Sequence, residues 1–267
     1  RSQWCLEQKA MGMASLVARL EVADNEGVHV AIAAASELAR PEQCHDVDLL
    51  QRSLAPPDAS FREQTREVIA QLAHARSLRA MSAYPQGLEV TRAAVERAQT
   101  LDNPSLIALA QALEGALLRL VGDLEQSEGV LEEAYFGAIK AHDYATAARA
   151  STDLVLLTGG DLDRRDDARR WTRHAEVAFT ELGLANDDPR RAVLLETRGH
   201  LLRSEGKYDA AEALFEQVLR IRYATFGSNH PQESRSYNTL GVLRGEMDDI
   251  EGSRLFFERA LQIGAES

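Results

Sequence analysis

The C-terminal third of the chain repeats itself after 42 residues, so that residues 196–221 align with residues 238–263. The residues that coincide are Thr197/Thr239, Gly199/Gly241, Leu201/Leu243, Phe215/Phe257, Glu216/Glu258, Leu219/Leu261 and Ile221/Ile263. A fixed period of about 34–47 residues with a helical pattern is typical of helical repeat arrays. Such arrays stack helical hairpins because one hairpin cannot bury its own apolar face, and the stack leaves a long concave surface. The period therefore favours a binding module over an enzyme.

Weaker copies of the same pattern extend upstream. The small residue that seats the second helix of each hairpin recurs at intervals of 40, 41, 43 and 42 residues, at Gly87, Ser127, Ala168, Ala211 and Ser253. The first helix of each hairpin carries its crossing residue at Ala75, Gly115, Leu156, Gly199 and Gly241. Small residues at such positions let two helix backbones approach closely. We therefore predict an all-α chain, an α–α superhelical solenoid of about five helical hairpins.

The predicted repeat array covers residues 58–267. Its hairpins are expected at residues 61–102, 103–142, 143–187, 188–230 and 231–264. Gly122 and Gly206 fall where a helix ends in a left-handed residue, and Pro104 and Pro231 fall at helix starts. The turn Gly159–Asp167 is longer and more charged than the other turns, so we expect a mobile insertion there.

Residues 1–57 do not follow the repeat and are predicted to form an N-terminal helical cap over the apolar end of the array. Helices are expected over Trp4–Ala23, Val28–Ala39 and Asp46–Leu54. If the first two helices form a hairpin, Cys5 and Cys44 come to its open end, where a disulfide is geometrically possible. The alternative is two buried free cysteines that act as small apolar side chains.

Charge, hydropathy and residue spacing argue against several classes of partner. The net charge is −12, whereas nucleic-acid binding needs a basic surface. No apolar run approaches the ~20 residues that span a bilayer, so we expect no membrane insertion by this chain. The seven histidines include no pair spaced by four residues, and no Cys-x-x-Cys occurs, so neither a metal nor a cofactor is expected. The chain begins at Arg1, so we interpret it as a fragment whose compartment stays unknown.

The last two copies of the pattern resemble the tetratricopeptide repeat. The residues that carry the resemblance are Gly206, Tyr208, Ala211, Phe215 and Leu219. The 42-residue spacing, with Phe226–Pro231 and Tyr237–Gly241 between the matched segments, resembles the long repeats of kinesin light chains. The resemblance implies a right-handed superhelix that binds proteins or peptides without catalysis.

In such repeats the first helix of each hairpin lines the concave surface. The side chains at those positions, our candidate peptide-binding groove, are Arg76, Arg79, Arg119, Asp153, Glu196, His200, Arg203, Arg235 and Asn238. Arginine pairs bidentately with carboxylates, so the groove is predicted to hold an acidic peptide or a C-terminal carboxylate. Asn238 matches the asparagine that binds a peptide main chain in the light-chain repeats. The alternative is that these side chains form ordinary solvated helix surfaces with local ion pairs.

The N-terminal segments resemble the C-terminal region of large bacterial serine/threonine protein kinases of the myxobacterial kind. This resemblance rests on Trp4–Lys9, Pro41–Leu50 and Pro56–Asp58. It implies a sensory or scaffolding tail, located in the cytoplasm or, behind a membrane anchor, outside it. A kinase needs a Gly-rich loop, a phosphate-binding lysine and a His-Arg-Asp catalytic loop. This sequence contains none of them, so the chain itself is not expected to be an enzyme.

Two other hypotheses stay open. One is a ligand- or peptide-sensing regulatory domain of a transcription factor or signalling ATPase. The other is self-association as a homo-oligomer through the C-terminal end. The last predicted helix carries Leu255, Phe256 and Leu261 with no capping helix after it, and uncapped arrays tend to pair.

Overall fold

The computed structural model describes residues 1–21, 44–47, 50, 56–57 and 59–266. Over these ranges the chain forms α-helices with short 3-10 and π turns, and no strand. The eleven α-helices of the described ranges are α1 (Ser2–Leu20), α2 (Arg62–Ala80), α3 (Tyr84–Thr100), α4 (Pro104–Val121), α5 (Leu124–Lys140), α6 (Tyr144–Leu156), α7 (Arg165–Glu181), α8 (Ala192–Ser204), α9 (Tyr208–Phe226), α10 (Pro231–Glu246) and α11 (Ile250–Glu266). The expected helix Val28–Ala39 lies outside the described residues, as does most of Asp46–Leu54.

Ten of these helices pair into five consecutive hairpins: α2 with α3, α4 with α5, α6 with α7, α8 with α9, and α10 with α11. The predicted fold class, all-α with about five helical hairpins of the solenoid type, is confirmed. The chain divides into two compact units. Unit 1, Arg1–Gly183, holds α1 and the first three hairpins, and unit 2, Leu184–Ser267, holds the last two.

A residue with left-handed backbone conformation follows the first helix of every hairpin. These residues are Ser82, Gly122, Asp163, Gly206 and Asp248, with φ of 58°, 90°, 49°, 73° and 59°. Their intervals of 40, 41, 43 and 42 residues repeat the period of the sequence. Glycine tolerates this conformation because it has no Cβ, and short polar side chains tolerate it because they hydrogen-bond locally. The turn therefore sets where each second helix begins.

Side-chain caps explain where several helices begin. Asn103 accepts a hydrogen bond from the Leu106 N–H at 3.1 Å, and Pro104 occupies the first position of α4. Asp143 likewise accepts from the Thr146 N–H at 3.1 Å at the start of α6. Each cap satisfies an N–H group that the first helical turn leaves unpaired, and stabilises its helix by about 1 kcal/mol.

The third hairpin departs from the others at its turn. A π turn, Leu157–Asp161, continues α6, so the chain reverses around Asp163. Leu157 is fully buried and accepts a hydrogen bond from the Leu162 N–H at 3.0 Å. The predicted insertion at Gly159–Asp167 is therefore wrong, because its first residues are helical and its last residues already belong to α7.

Glycine permits a close crossing of the two helices in three of the hairpins. A Cβ added at the glycine would lie 2.5 Å from the nearest side-chain atom for Gly115 and Leu131, 2.4 Å for Gly199 and Phe215, and 2.9 Å for Gly241 and Phe257. In the third hairpin the π turn moves the close approach from Leu156 to Gly159, where an added Cβ would lie 3.0 Å from Ala168. A close approach of the two helices at a glycine therefore occurs in four of the five hairpins, and in the third hairpin the π turn shifts its position.

Helix α4 is the one described helix whose length and composition would allow it to span a membrane, with a mean hydropathy of 1.4 over 18 residues. Half of it is buried, and it packs between α3 and α5. Its apolar residues are therefore those of a helix in the core of the array.

Helix α1 packs against α2 and is held there by apolar, ionic and covalent contacts. Trp4 joins the apolar core of the first hairpins. The Glu7 carboxylate accepts a hydrogen bond from Arg66 Nη2 at 2.8 Å. The structure joins Cys5 to Cys44 in a disulfide, with 5.6 Å between their Cα atoms.

We predict that Gly115→Ala destabilises unit 1 by about 1–3 kcal/mol, because the new methyl group overlaps the Leu131 side chain. Gly129→Ala on the neighbouring helix is the matched control, since an added Cβ there meets no atom within 4 Å. It should instead stabilise the unit by about 0.5–1 kcal/mol, because alanine loses less backbone entropy on folding than glycine does. Urea unfolding followed by tryptophan fluorescence reports on unit 1, which holds Trp4 and Trp171. Equal effects of the two substitutions would contradict the crossing argument.

We also expect Cys5 and Cys44 to resist alkylation in the untreated protein and to react after reduction, as read by mass spectrometry. The bond closes a loop with a sequence separation of 39, so the chain-entropy model assigns it about 4 kcal/mol. The paired substitution Cys5→Ser with Cys44→Ser should therefore speed amide exchange in α1 while leaving α5 unchanged. An alkylated cysteine in the untreated protein would show that the disulfide does not form in solution.

Candidate functional site

The first helices of the three hairpins in unit 1 bring charged side chains together. Helix α4 contacts both α2 and α6. Four predicted groove residues lie on these helices: Arg76 and Arg79 on α2, Arg119 on α4, and Asp153 on α6. All four are partly buried, and the charges of Arg79 and Arg119 act on the Asp153 carboxylate. The predicted groove residues of unit 1 therefore share one surface.

Two charged residues on this surface were missed by the sequence analysis. Arg149 lies one helical turn before Asp153, and its charge acts on both Arg76 and Asp153. Asp161 ends the π turn and accepts a hydrogen bond from Arg119 Nη1 at 3.1 Å. The spacing of Arg149 and Asp153 was a usable signal, because residues four apart share a helix face. The position of Asp161 depends on the π turn.

We call this set the arginine cluster: Arg76, Arg79, Arg119 and Arg149, with Asp153 and Asp161. Burial lowers the pKa of Arg76, and the positive charges of Arg149 and Arg79 lower it further, to about 9, so its guanidinium is still charged at pH 7. Burial raises the pKa of Asp153, whereas Arg79, Arg119 and Arg149 favour its ionised form. Positive charge therefore dominates the cluster.

The predicted groove residues of unit 2 show a different arrangement, centred on Glu196. This side chain is 6% exposed and forms a bidentate pair with Arg222, with N–O distances of 2.8 and 3.0 Å. Arg222 also donates to Ser236 Oγ at 2.8 Å, and Arg235 lies 3.7 Å from the Glu196 carboxylate. Burial alone would raise the pKa of Glu196, but Arg222 and then Arg235 outweigh burial and lower it. Glu196 is thus part of a buried ion pair between helices, and the sequence analysis missed Arg222.

The remaining predicted residues of unit 2 are His200, Arg203 and Asn238. The His200 ring packs against Phe215, with 5.0 Å between ring centroids. Burial lowers the pKa of His200, and nearby arginines add to that effect, so the ring is neutral at pH 7. Arg203 faces Glu246 at 3.8 Å, and Asn238 is exposed. Unit 2 therefore presents polar side chains whose charges are largely paired within the protein.

Among the described residues, no group of three or more His, Cys, Asp or Glu side chains is arranged to hold a metal ion. The arginine cluster and the polar surface of unit 2 offer hydrogen-bond donors and acceptors instead.

Comparison with known proteins agrees with the described architecture. Residues 190–266, the last two hairpins, match the family model described as tetratricopeptide repeat. A search of curated protein sequences gives no significant match.

Solved structures with similar folds include BtubC (BKLC) from P. vanneervenii, at 19% identity and a TM-score of 0.60 over 78% of this chain and 89% of that one. A protein described as a kinesin light chain from Podospora anserina, with nearly identical TPR-like repeats, shows 15% identity and a TM-score of 0.56 over 76% and 97%. A Rap protein complexed with Competence and Sporulation Factor shows 16% identity and a TM-score of 0.59 over 100% and 73%. At these identities the likeness shows a shared fold, that of tetratricopeptide-like helical repeats.

We predict that Glu196→Gln destabilises unit 2 by about 3–5 kcal/mol, because it leaves the buried Arg222 guanidinium without its counter-charge. Replacing both partners, Glu196→Leu with Arg222→Met, should recover most of that loss, because an apolar pair of similar volume avoids the desolvation cost. Amide exchange of α8 and α9, measured by mass spectrometry, reports the effect in unit 2. A single substitution as stable as the original protein would contradict the role of this pair.

The ion pair of Glu196 with Arg222 should also make the stability of unit 2 depend on pH. Because the folded-state pKa of Glu196 lies below the ordinary 4.5, its contribution to stability is complete above about pH 4.5. That contribution is lost as the pH falls through the folded-state pKa. The Glu196→Gln protein should lack this part of the acid transition.

Proposed function

We propose that the chain is a non-catalytic module that binds a protein or peptide on the surfaces that the first helices of its hairpins form within each unit. The observation that carries this proposal is that polar and charged side chains gather on those helices in each unit. Tetratricopeptide repeats generally serve protein–protein interaction, and helical repeat arrays use such surfaces for binding. Rigid helices also present their side chains with little ordering cost, which favours affinity.

The proposed ligand is an acidic protein segment or peptide. Four arginines lie together in unit 1, and Arg203 and Arg235 add further positive charge in unit 2. Arginine binds carboxylates through two parallel hydrogen bonds, which gives both strength and orientation. Asn238 is exposed on α10 and offers a side-chain amide to a peptide main chain.

We further propose that this module is the sensory or scaffolding C-terminal region of a bacterial serine/threonine protein kinase. The segments that resemble such kinases, Trp4–Lys9 and Pro41–Leu50, contact each other at two described points. One is the disulfide between Cys5 and Cys44, and the other is a hydrogen bond from Arg1 Nη1, next to the first segment, to the Leu50 carbonyl at 2.6 Å. These contacts support a common structural role for the two segments.

A second candidate is a peptide-sensing regulatory domain of a transcription factor or signalling ATPase. It is favoured by the likeness to the Rap protein, which was solved with a bound factor and which matches 100% of this chain. The kinesin light chain structure matches 76%. A kinase domain encoded upstream of Arg1 would favour the first candidate, and a DNA-binding or nucleotide-binding domain there would favour the second.

Self-association through the C-terminal helix is a separate proposal. Leu255 and Leu261 on α11 are 55% and 73% exposed, whereas Phe256 stacks on Tyr237 with 6.0 Å between ring centroids. Two exposed leucines on one helix offer an apolar surface to a second copy.

The binding proposal is tested by selecting short peptides from a random phage-displayed library against the whole chain and measuring their affinity by calorimetry. We expect Arg119→Ala to weaken by about tenfold the selected peptides that bind unit 1, and Arg203→Ala and Asn238→Ala each to do the same for those that bind unit 2, as for contacts at the centre of an interface. Arg170→Ala is the matched control, because Arg170 lies on the second helix α7 and pairs locally with Asp167. Unchanged binding by all three groove variants would refute the proposed surface.

A further inference from the structure

The charged side chains on the first helices are paired to different extents in the two units. In unit 2 the buried Glu196 is paired with Arg222, and Arg203 faces Glu246. In unit 1, Arg76 and Arg149 form no hydrogen bond or ion pair within the described ranges. Arg119 is paired with Asp161 through Nη1, but its buried Nε finds no partner among the described residues.

The charged groups that act on Arg76 are all positive. Both charges come from arginines, Arg149 and Arg79, and both oppose its ionised state. The carboxylates near the cluster are Asp153 and Asp161. A third, Asp143, acts on Arg149 but is already hydrogen-bonded to Thr146. Arg76 and Arg149 thus have no hydrogen-bonding partner among the described residues, although the charges of Asp153 and Asp143 act on Arg149.

We propose that the arginine cluster is a phosphate-binding subsite that receives the phosphate monoester of a phosphorylated peptide. This proposal rests on the peptide-binding function proposed above and names the chemistry of its ligand. Arg76 from α2 and Arg149 from α6 bind the phosphate from two sides, and the Arg119 Nε–H supplies a further donor from α4.

A phosphate monoester fits the cluster better than a carboxylate does. It carries about −1.5 to −2 charges at pH 7 and three strong acceptor oxygens. One bidentate arginine already satisfies a carboxylate, which has two oxygens and a single charge. Two uncommitted guanidinium groups supply several N–H donors and two positive charges, which match a dianion. The Asp153 carboxylate offsets part of the positive charge of Arg79, Arg119 and Arg149.

The first experiment uses inorganic phosphate as the probe and the whole chain as the receptor. Thermal unfolding is followed by tryptophan fluorescence, which reports on unit 1, in phosphate and in chloride at equal ionic strength. A ligand that binds only the folded state raises the melting temperature in proportion to the logarithm of its concentration above Kd. We expect phosphate to raise the melting temperature of the original protein more than chloride does.

Arg76→Gln and Arg149→Gln should each weaken phosphate binding by about tenfold or more, which is the loss of one charged hydrogen-bonded contact. Both variants should stay folded, and in chloride Arg76→Gln should melt at the same or a higher temperature, because the charges of Arg149 and Arg79 oppose that of Arg76. Arg170→Gln on α7 is the control and should respond to phosphate as the original protein does, because Arg170 pairs locally with Asp167. A phosphate response that survives in both cluster variants, or that is absent from the original protein, overturns the proposal.

The second experiment separates this proposal from the peptide-binding function. Degenerate peptide libraries with a fixed phosphoserine, serine or glutamate are compared for binding to the whole chain. Preference for phosphoserine that is lost in Arg76→Gln supports the phosphate subsite. Equal binding of phosphoserine and glutamate libraries overturns it in favour of a carboxylate site and leaves peptide binding intact. Binding of none of the three libraries refutes the peptide-binding function itself, whatever the response to free phosphate.

Discussion

The close crossing of two helices within each hairpin is the constraint on which the rest of the structure depends. At Gly115 and Gly199 there is no room for even one more carbon atom, because the partner side chains Leu131 and Phe215 already fill the space. The crossing is reinforced where Ser127 and Ser253 donate hydrogen bonds to the carbonyl groups of Gly115 and Gly241, both at 2.8 Å. When the distance between the two helices of a hairpin is fixed, the position of the first helix relative to the second is fixed as well. Within each unit, side chains some 40 residues apart in sequence therefore align on one surface.

The π turn departs from the regular repeat and creates an ion pair that the other hairpins lack. It moves the close approach in the third hairpin from Leu156 to Gly159 and lengthens the first helical segment by five residues. Asp161 then reaches Arg119 on the preceding hairpin, a pairing that a regular repeat would not provide. Short π segments of helices occur frequently at functional sites. Here the π turn pairs Arg119 with Asp161, whereas Arg76 and Arg149 make no hydrogen bond to the described residues.

The sequence predicted the features that depend on contacts within one hairpin. The crossing glycines, the small seating residues and the turns at Gly122 and Gly206 recur with the period, so a shift of the chain along itself reveals them. The five hairpins follow from that recurrence. Contacts that occur once leave no such signal. Glu196 and Arg222 are 26 residues apart in sequence, and their ion pair has no counterpart in the other repeat of unit 2. Glu196 therefore had the sequence features of a groove residue, although its burial and its partner make it part of the core.

The charge of the whole chain limits how the arginine cluster can work. At −12 the protein repels anions at long range, so the cluster cannot recruit a phosphate by electrostatic steering as a basic protein would. Salt screens that repulsion beyond about 8–10 Å at physiological ionic strength, whereas a partly buried cluster is screened much less. An anion therefore gains favourable energy only once it is in contact with Arg76 and Arg149. A phosphorylated peptide, which other contacts along the helices also hold, should therefore bind more tightly than free phosphate, which binds through the cluster alone.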